Sequence, residues 1–251
     1  SITESINADI VVSNYARLWD GKLLPAQGTQ TFALSSPLSE AFRFQGFFSV
    51  GTLSYVWGKL YKREFLEKNQ IVFTDSVYAE DKLFNMQCYV CDAKYVFLEK
   101  QGYVYRRNPE SISWKYHPNS AKSWMKIAYT IKEWIEEKQK DMDMYKGLVQ
   151  YTLFFASFFD GKMEYIQHNN SLWAVRKVLK VYGQEPLGKE SFLELSQKRK
   201  LSELKQPLWK IIIRGFALGM KHQWYLFLSV GIKLVVDLKI DERLSDTGLR
   251  E

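Results

Sequence analysis

Apolar positions along the chain change their spacing near residue 115. Before it, short strand-like and helix-like runs alternate. After it helical spacing dominates, and no proline occurs between Pro118 and Pro186. The β-branched run Ile-Val-Val-Ser-Asn-Tyr at 10–15 predicts a strand. Gly21, Pro25 and Gly28 predict a loop over 20–31. Residues 54–68 predict helix in two pieces, with 62–68 as a charged, exposed turn, and 71–73 form a short apolar step. Thr74, Asp75 and Ser76 are helix-capping types, and a helix is expected from about Glu80 to Cys91. Its apolar residues, from Leu83 and Phe84 to Val90 and Cys91, cover most of its circumference, which predicts burial on several sides. Residues 94–98 and 102–106 predict two strands joined by a turn, and Asn108-Pro109 marks another turn. Helices are expected over 119–140, 144–159, 171–182, 189–200, 207–220 and 222–237. The expected fold class is α/β over 1–115, followed by an all-α helical region over 116–251.

Composition narrows the possibilities. With 46% apolar and 16% aromatic residues in 251, the chain can bury a core, which excludes a disordered polymer. Two cysteines exclude a disulfide scaffold. The apolar run 224–232 stops at Lys233, far short of the ~18 residues read as a spanning helix. The first residues are polar and acidic, so no secretory leader is expected. The net charge of +7 is unevenly placed: residues 1–110 hold 12 basic and 12 acidic residues, whereas 171–233 hold 12 and 4. Such a block suits an anionic partner. A solubilising helical surface would carry the same excess. Nucleic acid finds no further support, because no helix-turn-helix or aromatic RNA-binding pattern accompanies the charge.

Few residue patterns can carry chemistry. His117, His168 and His222 are far apart, and no Cys/His spacing suits zinc. Cys88 and Cys91 share a face of an apolar helix, where two reduced core thiols are the simpler reading beside a redox pair. No G-x-S-x-G, G-x-x-x-x-G-K-[ST] or G-x-G-x-x-G occurs, so hydrolase, P-loop and Rossmann readings lack support. Glu80-Asp81 opens an otherwise apolar helix. Acids in a first turn complement the helix dipole. A carboxylate at a rigid helix start can also serve as a general base.

Four features in order resemble the second half of the catalytic domain of family 2 glycosyltransferases, the bacterial polysaccharide-building enzymes of GT-A fold. They are Trp57-Gly58-Lys59-Leu60-Tyr61 with Glu64 and Leu66 after it; Phe73; Glu80-Asp81 followed by Leu83-Phe84; and Tyr103-x-Tyr105-Arg106 followed by Asn108-Pro109 and Ser111-Ile112-Ser113. Ala8-Asp9-Ile10-Val11 is similar to the strand that follows the metal-binding segment in such enzymes. The resemblance covers about residues 5–115. It implies that Asp81 is the base that deprotonates an acceptor hydroxyl for attack on a nucleotide-sugar with inversion. Glu80 then shapes the acceptor pocket, and Trp57 and Lys59 line the same side. Arg106, Arg107 and Ser111 fall on the loop that closes over the donor diphosphate. A nucleotide-sugar donor and a glycan or lipid-linked acceptor are the implied partners. The chain departs from the family in lacking the V-D-D-G-S-like turn and the D-x-D that carries the metal. Asp141-Met142-Asp143 fits the letters but lies in the helical region. The divalent metal (Mn or Mg) expected of the complete enzyme would thus have its ligands outside this chain. The expectation is the later part of such an enzyme, inactive by itself without the missing half. The alternative is a non-catalytic module of the same ancestry that binds membrane or a partner.

The last third adds a surface question. In residues 207–221, Lys210, Arg214 and Lys221 form a narrow basic stripe beside a wide apolar surface. A helix hairpin packed on the domain explains it, and so does peripheral contact with an anionic membrane through 207–236. The expected location is cytoplasmic, peripheral at the inner face of the cell membrane.

Overall fold

A computed structural model describes residues 8–25, 54–74, 79–106, 116–197, 201 and 207–240. The chain divides into two compact units. The first comprises Ser1–Lys115, Trp134–Tyr145 and Ser245–Glu251, and the second Tyr116–Glu133 and Lys146–Leu244.

The first unit is built around β1 (Ile10–Trp19). Ile10, Val11 and Val12 are all buried, the mark of a strand covered on both faces. β4 (Tyr95–Arg106) runs parallel to β1 along one edge, from Ile10 opposite Tyr95 to Leu18 opposite Arg106. The other edge is shared by two short antiparallel strands. β3 (Lys59–Tyr61) pairs with Ile10–Val12, and β2 (Lys22–Pro25) pairs with Ala16–Trp19. Parallel strands need a long crossover, and here it contains β3, α1 (Arg63–Asn69) and α2 (Glu80–Val90). α2 is buried along most of its length, as its apolar circumference predicts, with Met86, Cys88 and Tyr89 fully enclosed. The turn between α3 (Ser120–Glu137) and α4 (Met142–Gln167) also belongs to this unit. Lys140 and Tyr145 both grip the Asp92 carboxylate, and Tyr145 meets Tyr89 edge-on at 6.1 Å.

Four local expectations need correction. Residues 59–61 are strand rather than helix, because Gly58 takes φ +71 and breaks the helical path just before them. Lys22–Pro25, expected in a loop, form strand β2, whereas residues 63–69 form helix α1, as expected of the basic-acidic run through Glu64 and Leu66. The two strands expected over 94–106 are one strand with irregular register: Ser13 faces Leu98, Asn14 faces Gln101 and Tyr15 faces Tyr103. The polar residues read as a turn are accommodated as a bulge. α2 is capped not by a Thr, Asp or Ser side chain but by Ala79 in the left-handed region, with no side-chain cap bond. The expected turn at Asn108-Pro109, the Ser111–Ser113 motif and residues 26–31 lie outside the described residues.

The second unit is helical throughout its described residues. α5 (Leu172–Gln184) and α6 (Pro186–Leu195) follow α4, and α7 (Pro207–Lys221) and α8 (Tyr225–Asp237) follow them. Ser171 caps α5 by accepting the N–H of Ala174, and Pro186 starts α6 where its missing N–H costs nothing. Phe216 of α7 is ringed by Phe154, Phe158 and Phe192 at 5.3, 6.4 and 6.1 Å between centroids. The basic stripe expected on α7 is present at its surface: Lys221 is exposed, and Arg214 donates from Nε to the Ser196 carbonyl. α4 runs eight residues beyond its expected end at 159. Asp160 and Glu164 interrupt the apolar pattern there, yet both are held by partners: Asp160 accepts from Ser120 and Tyr182, and Glu164 from Tyr116. No helix among the described residues is long and apolar enough to cross a membrane.

Candidate active site

The first turn of α2 presents Glu80 and Asp81. Glu80 is exposed, whereas Asp81 is half-buried. The Asp81 Oδ2 accepts the N–H of Val56 at 3.3 Å. Its position is fixed through the backbone. Tyr61 of β3 donates its hydroxyl to Asn85 Oδ1 at 2.8 Å, and Asn85 Nδ2 donates to the Asp81 carbonyl at 2.9 Å. Asn85 is fully buried, so this relay ties the helix start to the sheet in a dry environment where such bonds are strong.

Segment 55–59 lies against the start of α2 through the Val56 N–H bond to Asp81. Lys59 Nζ donates to the carbonyl of Tyr55, next to the peptide N–H that Asp81 takes. Burial pushes the Lys59 amine down to about 7, against the pull of Asp81 and Cys88. Burial raises the Asp81 carboxyl above its ordinary value. The Val56 N–H opposes this, Glu80 adds to it, and Lys59 opposes it. Each group therefore senses the other, with an amine titrating near neutrality beside a carboxylate of raised proton affinity. That combination suits proton transfer.

Trp57 stands at the centre of an aromatic group. Its ring stacks with Tyr55 at 4.9 Å, Tyr103 at 4.7 Å and Tyr105 at 5.4 Å, and Tyr15 meets it edge-on at 5.1 Å. The loop carrying Trp57 is pinned at Gly58, whose carbonyl accepts both the N–H and the hydroxyl of Ser13 at 2.9 and 3.0 Å. Ser13 is in turn pressed by Gly102 of β4. A Cβ added at 102 would lie 2.6 Å from Ser13 Oγ and 2.8 Å from its Cβ. Gly102→Ala is therefore expected to displace Ser13 and the Trp57 loop. The expected loss is about 1–3 kcal/mol, the usual cost of overpacking. Chemical denaturation measures it, and adding Ser13→Gly should restore part of the loss, as coupled neighbours do.

Of the residues expected in the site, Asp81, Lys59 and Trp57 meet around segment 55–59, and Glu80 lies beside them at the surface. Arg106 ends β4, exposed, one residue past Tyr105. Arg107 and Ser111 lie outside the described residues. Sequence reasoning missed Tyr55, Tyr103 and Tyr105 as members of the aromatic group. It also missed Arg17, which is 7% exposed with no hydrogen-bond partner at Nε. The two-residue period of β1 was a usable signal, since it places Ser13, Tyr15 and Arg17 on one side of the strand. Cys88 and Cys91 are both free thiols, Cys88 buried and Cys91 half-buried, as expected of reduced core cysteines. Burial pushes the Cys88 thiol up to about 12 and raises Cys91 as well, the opposite of what a reactive thiolate needs. Asp141 accepts the N–H of Asp143 at 2.9 Å and so serves the start of α4. Among the described residues, no group of three or more His, Cys, Asp or Glu could hold a metal ion.

Known proteins offer two points of comparison. No family model matches the chain. The uncharacterised glycosyltransferase EpsJ of Bacillus subtilis (strain 168) is 35% identical to it over 60 residues, which are 24% of this chain and 17% of that protein. The crystal structure of S. aureus TarS 1-349 in complex with UDP-GlcNAc superposes with a TM-score of 0.58, covering 94% of this chain and 62% of that chain. At 16% identity this likeness is one of fold. The chain is thus similar to a glycosyltransferase over a short stretch, shares a fold with a protein that holds UDP-GlcNAc, and spans less than two thirds of either.

Proposed function

We propose that the chain carries the acceptor side of an inverting glycosyltransferase of family 2 type and GT-A fold. Such an enzyme transfers a sugar from a nucleotide-sugar to a glycan or lipid-linked acceptor. The observation that carries this reading is the half-buried Asp81, fixed at the start of a buried helix and set against Lys59 and the Trp57 aromatic group. Asp81 removes the proton from an acceptor hydroxyl. The freed oxygen pair bonds to the anomeric carbon from the face opposite the nucleotide. The bond to the diphosphate oxygen breaks, and the diphosphate leaves with the electron pair. Arg106, with Arg107 beyond it, supplies planar cationic donors to that leaving group. The aromatic group around Trp57, with Tyr103 exposed in it, offers ring surface to the apolar side of a sugar, Glu80 shapes the acceptor pocket, and Ser111 belongs with the two arginines on the diphosphate side. The donor half and its metal ligands belong to residues outside this chain.

Donor titration and transfer assays test this reading. UDP-GlcNAc is the first donor to try, because TarS holds it. The chain alone should bind it weakly and without metal dependence. Tight metal-dependent binding by the chain alone would overturn the assignment of the donor half elsewhere. The pH profile of transfer by the full-length protein supplies a second check. Lys59 is protonated below about pH 7, and its charge favours the ionised form of Asp81. Lys59→Met removes that charge and raises Asp81 further, so the acid limb of the profile should move to higher pH. An unmoved limb would detach Lys59 from the base.

A further inference from the structure

α8 has two opposite faces. Tyr225, Ser229 and Ile232 are buried. Phe227, Val230, Leu234 and Leu238 are 80%, 41%, 51% and 59% exposed, and their i, i+3, i+7, i+11 spacing aligns them in one stripe. A helix of this apolarity exposed to water needs a cover.

α5 supplies a second clue. It buries Val175, Val178, Leu179 and Tyr182, and its outer face carries Trp173, Arg176, Lys177 and Lys180 with no acidic residue along its length. The Arg176 guanidinium lies over the Trp173 ring at 4.5 Å, and Trp173 is 67% exposed. Both helices pack on one point of α4. A Cβ added at Gly161 would stand 2.6 Å from Ile232 of α8 and 3.5 Å from Val175 of α5. Their outer faces therefore both turn away from α4.

An apolar stripe with a neighbouring acid-free face of cations and tryptophan matches the interface of a bilayer. Aliphatic side chains enter the acyl region there, and Trp, Arg and Lys stay at headgroup level. A second copy of the chain fits less well, since an isologous contact would set these cations against themselves. We propose that the surface formed by α5 and α8 docks on an anionic lipid bilayer, with the α8 stripe inserted and the α5 cations against lipid phosphates. This attachment is independent of the role assigned to Asp81.

Co-sedimentation of the whole chain with vesicles tests it. Binding should be clear with vesicles of phosphatidylglycerol and phosphatidylcholine at low salt, and weak with phosphatidylcholine alone. Phe227→Ser with Leu234→Ser should weaken it by roughly tenfold or more, since both insert. Arg176→Gln with Lys180→Gln should weaken it several-fold and flatten its salt dependence. Phe227, Leu234 and Lys180 are exposed and Arg176 is half-buried, so thermal melting should stay close to the parent, and the charge pair remains informative if the serine pair does not fold. No pelleting with anionic vesicles at low salt would overturn the proposal, as would pelleting unaffected by both pairs. A dimer that the serine pair dissociates, in the absence of vesicle binding, would reassign the stripe to contact between copies.

Discussion

Asp81→Asn in the full-length protein is expected to lower glycosyl transfer by about 10²–10⁴-fold, the range a positioned general base contributes. The amide is nearly isosteric and can still accept the Val56 N–H, so the start of α2 should hold and the melting temperature should change little. A base effect appears in kcat, with the acceptor KM nearly kept. The wild-type profile should fall as pH drops through a midpoint raised from the ordinary aspartate value, because burial raises Asp81. The Asn variant should lose that limb. Full activity in Asp81→Asn would reduce the chain to a non-catalytic module and leave its acids as helix-dipole partners.

The largest expected stability loss lies in the second unit. Asp160 is 4% exposed and accepts from the Ser120 hydroxyl at 2.7 Å and from Tyr182. Asp160→Ala strands both buried hydroxyls and opens a gap, at a cost of about 2–4 kcal/mol. Urea unfolding followed by helical circular dichroism measures this. Its pH dependence carries a sign. Burial raises the Asp160 carboxyl to about 6, with the Ser120 and Tyr182 bonds opposing and Glu164 adding. Between the ordinary carboxylate value and about 6 the folded state holds the proton more firmly than the unfolded chain. This group's contribution is therefore fully present at low pH, and is lost as pH rises through that window. Asp160→Asn should remove that slope. An unchanged slope would show that other groups set it.

Much of the backbone could be read from apolar spacing, and the failures have specific causes. α2 was legible because its apolar residues encircle it, and β1 because three β-branched residues run together. β3 was not, because its three residues owe their strand state to pairing with Ile10–Val12, a contact no local pattern encodes. The end of α4 was misplaced because Asp160 and Glu164 look like surface charges until Ser120, Tyr182 and Tyr116 are found against them. Asp81 could be singled out as an acid opening an apolar helix. Its link to Val56, and the gathering of Tyr55, Tyr103 and Tyr105 on Trp57, depend on a sheet assembled from segments some 45 residues apart.

The grip of Lys140 and Tyr145 on Asp92 bears on biosynthesis. Tyr145 lies 53 residues downstream of the carboxylate it holds. At ~5–20 residues per second, the ribosome needs about 3–10 s more after Asp92 before that clasp can close. Through this interval Tyr89 lacks its downstream ring partner. The nascent sheet must wait for a helical hairpin that composition alone would assign to the next domain. Chaperone capture and co-translational proteolysis should concentrate in that window, and a gene truncated between 92 and 145 would prolong it indefinitely.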